Sequence, residues 1–222
     1  MSSDLRKDHQ GLVADPELIA RLLSRAATER DKSRSRKINT ILSAAVTEFA
    51  EQGMSGFSMR RIASTAGITL STLQHYFGNR DNLLIVTISS LCARYIAKHT
   101  RSRGPATPKR RLEMLIDHLL ASLTDPLVSR FYTNLWATAA QNPKINAIVR
   151  ESYGRYYEIL ADLVAEMRPD LTRDRAHALA VWVGALIDGL LVAQVIAAHG
   201  LRDWKALAEK FKAQCLAAIE KA

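Results

Sequence analysis

With 222 residues, of which 48% are apolar, the chain is long enough to bury a sizeable core, and its scarcity of Gly and Pro favours helices over strands. Its two cysteines, Cys92 and Cys215, lie far apart, which argues against a disulfide-rich secreted fold and against a CxxC metal site. The net charge of +9 makes a polyanion the expected partner.

The positive charge is concentrated in one segment of the chain. Residues 30–111 contain 15 Lys and Arg against 4 Asp and Glu, whereas the other residues contain 16 and 18. An excess confined to one third of a chain favours nucleic acid as the partner, although a solvated basic surface is the alternative.

The N-terminal part of the chain contains two predicted helices joined by a basic run. We expect residues 1–14 to be disordered and residues 15–30 to form a helix that Asp15 caps. The start of the chain lacks the apolar core of a secretion signal, so we expect a cytoplasmic protein. The basic run 30–37 leads into an amphipathic helix that Gly53 should end.

The next two predicted helices are short and form a helix-turn-helix candidate. Ser58 is the expected N-cap of the first helix, Gly67 and Ile68 form the turn, and Thr69 is the expected N-cap of the second helix. Leu73 and Phe77 should face inward. The outward side chains suit the DNA major groove, and the alternative is a polar surface helix in an ordinary bundle. They are Ser71, Thr72, Gln74, His75 and Tyr76.

The rest of the chain is also predicted to be helical. A helix at about 80–101 precedes a linker candidate at 101–109, and further helices are expected at about 109–123, 126–140, 144–167, 173–199 and 203–220. Residues 178–199 are apolar enough to suggest a membrane span, but a central Asp188 would cost about 2.5–3.5 kcal/mol on insertion. A buried or interface helix is therefore favoured, and no segment shows the alternation of a strand.

Four short stretches between residues 37 and 86 together resemble the TetR family of bacterial transcriptional regulators. They read "ILSAAVTEFAEQG", "IASTAGIT", "STLQHYF" and "NRDNLL", in that order and spacing. Two positions depart from the family pattern, because Gln74 stands where Tyr is frequent and Arg80 stands where Lys is usual. The remaining residues resemble the family through their helical pattern and the stretch "LIDGL" at 186–190.

The resemblance implies an all-α fold with three segments. They are an N-terminal extension at 1–32, a three-helix helix-turn-helix DNA-binding domain at 33–85, and a larger helical effector-binding and dimerisation domain at 86–222. It also implies DNA contacts. Phosphate contacts are expected from Ser58, Arg60, Tyr76 and Arg80, groove contacts from Thr69, Ser71, Thr72, Gln74 and His75, and phosphate or minor-groove contacts from Arg34, Arg36 and Lys37. Leu70 could pack inside or touch a thymine methyl, and the basic run 30–37 could be a solvated linker instead.

The last two predicted helices are candidates for a dimer interface, with an intrachain core as the alternative. A ridge of small residues on one helix and an apolar stripe on the other would allow close approach, and the resemblance places a four-helix interface there. The candidates are Ala185, Gly189, Ala193, Ala197, Trp204 and Phe211.

The helices around 109–167 could enclose an effector cavity, where apolar walls would hold a few polar anchors. The candidate residues, each of which could be core filler instead, are Met114, His118, Phe131, Asn134, Trp136, Tyr153, Tyr157, Trp182 and Asp188. Asp188 is the most suggestive, because a carboxylate in an apolar helix needs a partner.

These patterns predict a cytoplasmic, homodimeric regulator that binds double-stranded DNA, with repression relieved by a small-molecule effector as the favoured mode. Activation or effector-independent regulation is the alternative. No catalytic or metal-binding motif occurs in the sequence, so we expect neither an enzyme nor a cofactor. An all-helical small-molecule binding protein or enzyme is the less favoured interpretation.

Overall fold

The computed structural model describes residues 29–100, 107–197 and 202–222, and every regular element in these ranges is an α-helix, which confirms the all-α fold class. The predicted helix at 15–30, except for its last two residues, and the disordered start lie outside the described residues, as does most of the predicted linker. In chain order the helices are α1 (Glu29–Gly56), α2 (Met59–Thr65), α3 (Leu70–Phe77), α4 (Arg80–Thr100), α5 (Pro108–Ser122), α6 (Pro126–Gln141), α7 (Pro143–Met167), α8 (Arg173–Ile196) and α9 (Trp204–Lys221).

The chain divides into two compact units. The first unit runs up to Ala93 and also contains Asn134–Val149, and the second contains Arg94–Thr133 and Arg150–Ala222. The limits of the units therefore fall inside helices α4, α6 and α7. The functional segments predicted from the sequence, with limits at 32 and 85, stay a prediction.

The first unit is built on the apolar stripe of α1, which the sequence predicted correctly. Each residue of that stripe is at most 3% exposed, and burial of such side chains stabilises a fold by about 1.5–3 kcal/mol for each large one. Residues from α2, α3 and α4 complete the core. Its fully buried members are Ile41, Phe49, Ile62, Leu73, Leu83, Leu84 and Ile88, with Phe77 at 2% exposure.

Helix α1 bends sharply at Gly53, where the sequence predicted that the helix would end. Gly53 has φ 61° and ψ −166°, a left-handed backbone that side chains with a Cβ rarely adopt. A break at this point takes helical donors away from carbonyls of the preceding turn. The side-chain amide of Asn134 on α6 replaces them, because its Nδ2 donates to Phe49 O at 3.0 Å and to Ala50 O at 2.9 Å.

The second unit has its own core, to which α5, α7, α8 and α9 all contribute. Fully buried residues include Leu112 on α5, Leu160 on α7, Ala180 on α8 and Ile219 on α9. Polar contacts join the same elements. Lys212 Nζ lies 2.6 Å from Asp117 Oδ1. Arg168, directly after α7, donates to Ile219 O on α9. On α5, Arg111 pairs with Glu166 of α7 and Lys109 pairs with Glu220 of α9.

Helix α8 is apolar on its outer face as well as on its buried face. Val183 and Ile187 are buried, whereas Trp182, Val192 and Ile196 on the other side are 41%, 44% and 76% exposed. Within the described ranges α8 is the one helix whose length and mean hydropathy would suit a membrane span, and 28% of its most apolar window is buried. Because only one side of α8 is buried, the apolar residues on its other side stay exposed on the single chain.

We expect Gly53→Ala to lower the free energy of unfolding by about 1–2 kcal/mol, because a Cβ is strained at positive φ. The new Cβ would also lie 3.1 Å from Asn134 Oδ1. The matched control is Gly154→Ala, inside α7, where a Cβ would have no atom within 4 Å. Since Ala is the better helix former, this control should be neutral or stabilising by up to about 1 kcal/mol. Urea unfolding followed by circular dichroism measures both, and equal shifts for the two variants would contradict the role given to Gly53.

Candidate nucleic-acid interface

Helix α2 begins at the N-cap that the sequence predicted. Ser58 has extended backbone angles, and its Oγ accepts a hydrogen bond from the Arg61 amide at 3.4 Å. Its own amide donates to Glu48 Oε1 at 3.1 Å. The hydroxyl hydrogen of Ser58 is not used by the cap, so it can still donate to a phosphate.

Glu48 on α1 connects the start of α2 to the core of the first unit. Glu48 is only 8% exposed, and its carboxylate accepts hydrogen bonds from the Ser58 amide and from Arg61 Nε, the latter at 2.7 Å. Arg61 Nη2 also donates to Gly56 O. A buried carboxylate needs such donors, and here they fix the direction in which α2 leaves the bend. Glu48 was not predicted as a functional residue, although its place three residues after Ala45 and beside Phe49 puts it on the apolar stripe.

The turn between α2 and α3 has the predicted form. Gly67 has φ 66°, and the Ile68 amide donates to Ala63 O at 3.0 Å, so the chain reverses tightly after α2. The amide of Ala66 donates to Ile62 O at 2.9 Å and closes the last turn of the helix. These two short helices and their turn form a helix-turn-helix unit.

Helix α3 has the predicted division between inward and outward faces. Thr69 caps it by accepting from the Thr72 amide at 3.1 Å. Leu73 and Phe77 are 0% and 2% exposed and hold the helix on the core. Opposite them, Ser71, Gln74 and His75 are exposed, and Leu70, Thr72 and Tyr76 are half-buried. We call this outward surface, from Thr69 to Tyr76, the α3 face.

The α3 face carries hydrogen-bonding groups in a defined arrangement. The Thr69 hydroxyl lies 2.9 Å from both the Ser71 and the Thr72 hydroxyls, which orders three oxygens at the start of the helix. The rings of His75 and Tyr76 meet edge to face with centroids 5.8 Å apart. Hydroxyl, amide, imidazole and phenol groups on an exposed helix can bond base edges and phosphates.

Exposed basic side chains occur on α1 and α2, the two helices that precede α3 in the chain. Arg34, Arg36, Lys37 and Arg60 are exposed, and the run 30–37 lies within α1. The run is therefore helical rather than an irregular linker, and the DNA contact expected of it stays a prediction. A helix holds these cations in a fixed register.

Arg80, for which the sequence predicted a phosphate contact, is engaged inside the first unit. Its Nε donates to Phe57 O at 2.9 Å, and its Nη2 donates to Met54 O. The guanidinium carbon lies 6.0 Å from the centroid of the Phe57 ring, and Nη1 lies 3.6 Å from Asp81 Oδ1. These internal contacts were not anticipated from the sequence.

Three of the predicted effector residues come together in the second unit. The Tyr153 hydroxyl donates to Asp188, and the ring centroids of Tyr153 and Tyr157 are 5.7 Å apart. Burial raises the pKa of Asp188 to about 6, and the hydrogen bond from Tyr153 lowers it in part. Burial, and then the charge of Asp188, raise the pKa of Tyr157. The close approach of α7 to α8 depends on Gly184, where a Cβ would lie 2.6 Å from Tyr157 Cε1.

The structure gives several other predicted effector residues different surroundings. Asn134 belongs to the first unit, and its amide caps the carbonyls of α1, so the effector contact predicted for it needs correction. Phe131 is 1% exposed and belongs to the core, whereas Met114 and Trp182 are 44% and 41% exposed. His118 and Trp136 are half-buried, and Trp136 belongs to the first unit. The spacing of residues along the sequence does not distinguish core residues from exposed residues or from a residue that caps another helix.

The predicted interface residues lie on or beside the outer face of α8 and on α9. Ala185 and Gly189 are exposed, and the half-buried candidates are Ala193, Ala197, Trp204 and Phe211. The small residues of this face were among the predicted interface residues, whereas the large exposed Val192 and Ile196 were not. In the described parts of the chain, no group of three His, Cys, Asp or Glu side chains could hold a metal ion.

A short polar helix that Leu73 and Phe77 anchor in a helix-turn-helix unit, with exposed cations on the two preceding helices, is typical of DNA-binding proteins. Comparison with known sequences agrees. Residues 41–86 match the profile of bacterial regulatory proteins of the tetR family, and residues 108–220 match that of the C-terminal part of BetI-type transcriptional repressors. The chain therefore belongs to the TetR family. It is a DNA-binding transcriptional regulator, from a family of regulators rather than of enzymes.

Individual relatives and solved structures are similar to most of the chain. The HTH-type transcriptional regulator BetI of Burkholderia mallei is 29% identical over 172 residues, which is 75% of this chain and 85% of the relative. A regulator from Saccharomonospora viridis, solved in complex with choline, has a TM-score of 0.67 at 20% identity and covers 82% of this chain and 94% of its own. FadR of Bacillus subtilis, solved in complex with stearoyl-CoA, has a TM-score of 0.65 at 21% identity and covers 80% and 97%.

Proposed function

We propose that two copies of this chain bind a palindromic operator as a repressor and that a small-molecule effector releases them. The observation that carries this proposal is the α3 face, a hydrogen-bonding surface with little to bury, on a helix that Leu73 and Phe77 anchor in the core. The description of the matched C-terminal family as transcriptional repressors supports the sign of regulation. The proposed place of action is the cytoplasm.

The α3 face would enter the major groove and read base edges. The Gln74 amide can pair with the N6 and N7 of adenine, and the exposed Ser71 and His75 offer further hydrogen bonds. Thr72 and Leu70 carry methyl groups that can contact thymine. Phosphate contacts would come from exposed or half-buried groups around this helix, namely Arg34, Arg36, Lys37, Ser58, Arg60, Thr69 and Tyr76.

Dimerisation would cover the outer face of α8. Exposed Val192 and Ile196 form an apolar surface beside the small residues Ala185 and Gly189, and a helix from a second copy can approach such a surface closely. Helix α9 would complete the interface through Trp204 and Phe211. A symmetric dimer of this kind would present two α3 faces about 34 Å apart, in successive major grooves.

The effector would bind in the second unit beside Asp188. Within the described ranges Tyr153 bonds this carboxylate, and no basic side chain contributes to its pKa. Tyr153, Tyr156 and Tyr157 place three rings within 5.4–6.2 Å of one another on the same helix. A carboxylate next to aromatic rings suits an organic cation. The complex of the Saccharomonospora viridis regulator with choline supports this class, and Asp188 favours it over an acyl-CoA of the kind bound to FadR.

Release would follow from a difference in affinity. An effector that binds one arrangement of the dimer more tightly than the operator-bound arrangement lowers the affinity for DNA by that difference. The coupling is reciprocal, so operator DNA should weaken effector binding by the same factor.

We expect the double substitution Gln74→Ala and His75→Ala to lower operator affinity at least about 30-fold, because a base contact of about 1–3 kcal/mol is lost from each of the two chains. Affinity for a random duplex of equal length should change by less than about threefold. Fluorescence anisotropy at several salt concentrations measures both. The contrasting variant is Arg60→Gln, which should weaken both complexes and reduce the salt slope by about 1.8, because each of the two bound chains loses one phosphate contact. Equal losses on the two duplexes for the double variant would contradict base reading.

The raised pKa of Asp188 predicts a dependence of stability on pH. Its folded pKa, about 6, lies above its ordinary value of 3.8, so the folded state holds more protons between these values. The stability of the effector-free protein should therefore fall as pH rises from about 4 to 6. A shift of about two pKa units corresponds to at most about 3 kcal/mol at neutral pH.

The test is Asp188→Asn. This variant should remove that part of the pH dependence and raise the melting temperature at pH 7.5, and it should also lose the stabilisation that choline gives to the unchanged protein. Asp174→Asn, an exposed substitution on the same helix, is the control for the chemical change. A melting series from pH 4.5 to 8, with and without choline, measures both effects. If the Asp188→Asn variant binds choline as tightly as the unchanged chain does, the proposed contact is wrong.

A further inference from the structure

We infer that Arg80 is a positioning residue for operator recognition, one that holds the end of α1 in place so that the α3 face is correctly oriented, and that it is not a phosphate contact. This inference rests on the proposed operator binding. It departs from the role that the family resemblance implied for this position, where Lys is usual.

Two of the five N–H donors of Arg80 bond carbonyls of the protein itself. Its Nε and Nη2 donate to Phe57 O and Met54 O, two carbonyls of the segment that leaves α1 after Gly53. The guanidinium lies over the ring of Phe57, which is itself 2% exposed. A planar guanidinium can make these bonds and this stack together, whereas a Lys ammonium is a point charge and cannot reproduce the fork.

The positive charge of Arg80 has a carboxylate beside it. Nη1 lies 3.6 Å from the carboxylate of Asp81, whose side chain is 68% exposed. An adjacent carboxylate weakens the attraction of the guanidinium for a phosphate and also repels the phosphate itself. Arg80 keeps 36% of its side chain exposed, and its Nη1 donors lie beside this exposed carboxylate.

The position of Arg80 in the chain connects the end of α3 to the rest of the unit. It is the first residue of α4, directly after the Gly78–Asn79 turn that ends α3. Its bonds tie the start of α4 to the end of α1, while Arg61 and Glu48 tie the start of α2 to the same segment. Helix α3 lies between α2 and α4 in sequence, so both of its connections are fixed against one segment. Loss of one tie should change the orientation of the α3 face.

The experiment compares Arg80→Lys and Arg80→Gln with the unchanged chain. Affinities for operator and for random duplex are measured from 50 to 300 mM salt. We expect both variants to lose at least about fivefold in operator affinity, to keep their affinity for random duplex within about twofold, and to keep the salt slope of the unchanged chain. Arg60→Gln is the matched control, because the loss of one phosphate contact from each of the two chains should reduce the slope by about 1.8.

Two results would overturn the inference. One is an Arg80→Lys variant with unchanged operator affinity together with an Arg80→Gln variant whose slope falls by about 1.8, since that is the behaviour of a phosphate contact made by both chains. The other is a variant that melts earlier but keeps the full ratio of operator to random affinity, since a merely stabilising residue behaves so. If Arg80→Gln does not fold, Arg80→Lys alone decides. Absence of any operator preference in the unchanged chain would instead reject the proposed function, and the inference with it.

Discussion

The chain must leave helix α1 and begin α2 within the segment 53–58 without burying unpaired backbone groups, and the arrangement of the DNA-binding surface depends on how it does so. The side-chain amide of Asn134 donates to two carbonyls just before the bend at Gly53, and the guanidinium of Arg80 donates to two carbonyls after it. Arg61 donates to a further carbonyl of this segment, and Glu48 accepts a hydrogen bond from the amide at the start of α2. Because unpaired buried backbone groups are costly, these four side chains together determine one path for the chain.

This path leaves α3 free to use its outer surface for recognition. Leu73 and Phe77 supply the attachment to the core, and the turn at Gly67 sets the angle to α2. The exposed side chains Ser71, Gln74 and His75 are then not held in the core. A short helix with two buried anchors is therefore enough to present the α3 face, and the neighbouring helices contribute the rest of the core.

The local features of the fold could be predicted from the sequence, because their causes lie within a few residues. Caps at Ser58 and Thr69, the turn at Gly67 and the inward position of Leu73 each follow from side-chain type and helical spacing. The contacts of Asn134 could not be predicted, because they join residues 84 and 85 positions apart. The same holds for Arg80, where the likeness to a family suggested a contact with DNA and the fold supplies internal acceptors instead. In the second unit Asp188 gave a usable signal, since a carboxylate in an apolar helix is rare, whereas Met114 and Phe131 look alike in sequence and differ in burial.

The central claim is that two α3 faces, presented by a symmetric pair of chains, read one operator. Selection of bound duplexes from a randomised pool by the purified chain, followed by native mass spectrometry of the selected complex, tests it most directly. We expect an enriched sequence with two-fold symmetry, half-sites spaced by about 10 base pairs or a multiple of it, and chains bound in pairs. Enrichment of an asymmetric site by one chain, or no enrichment at all, would contradict the account.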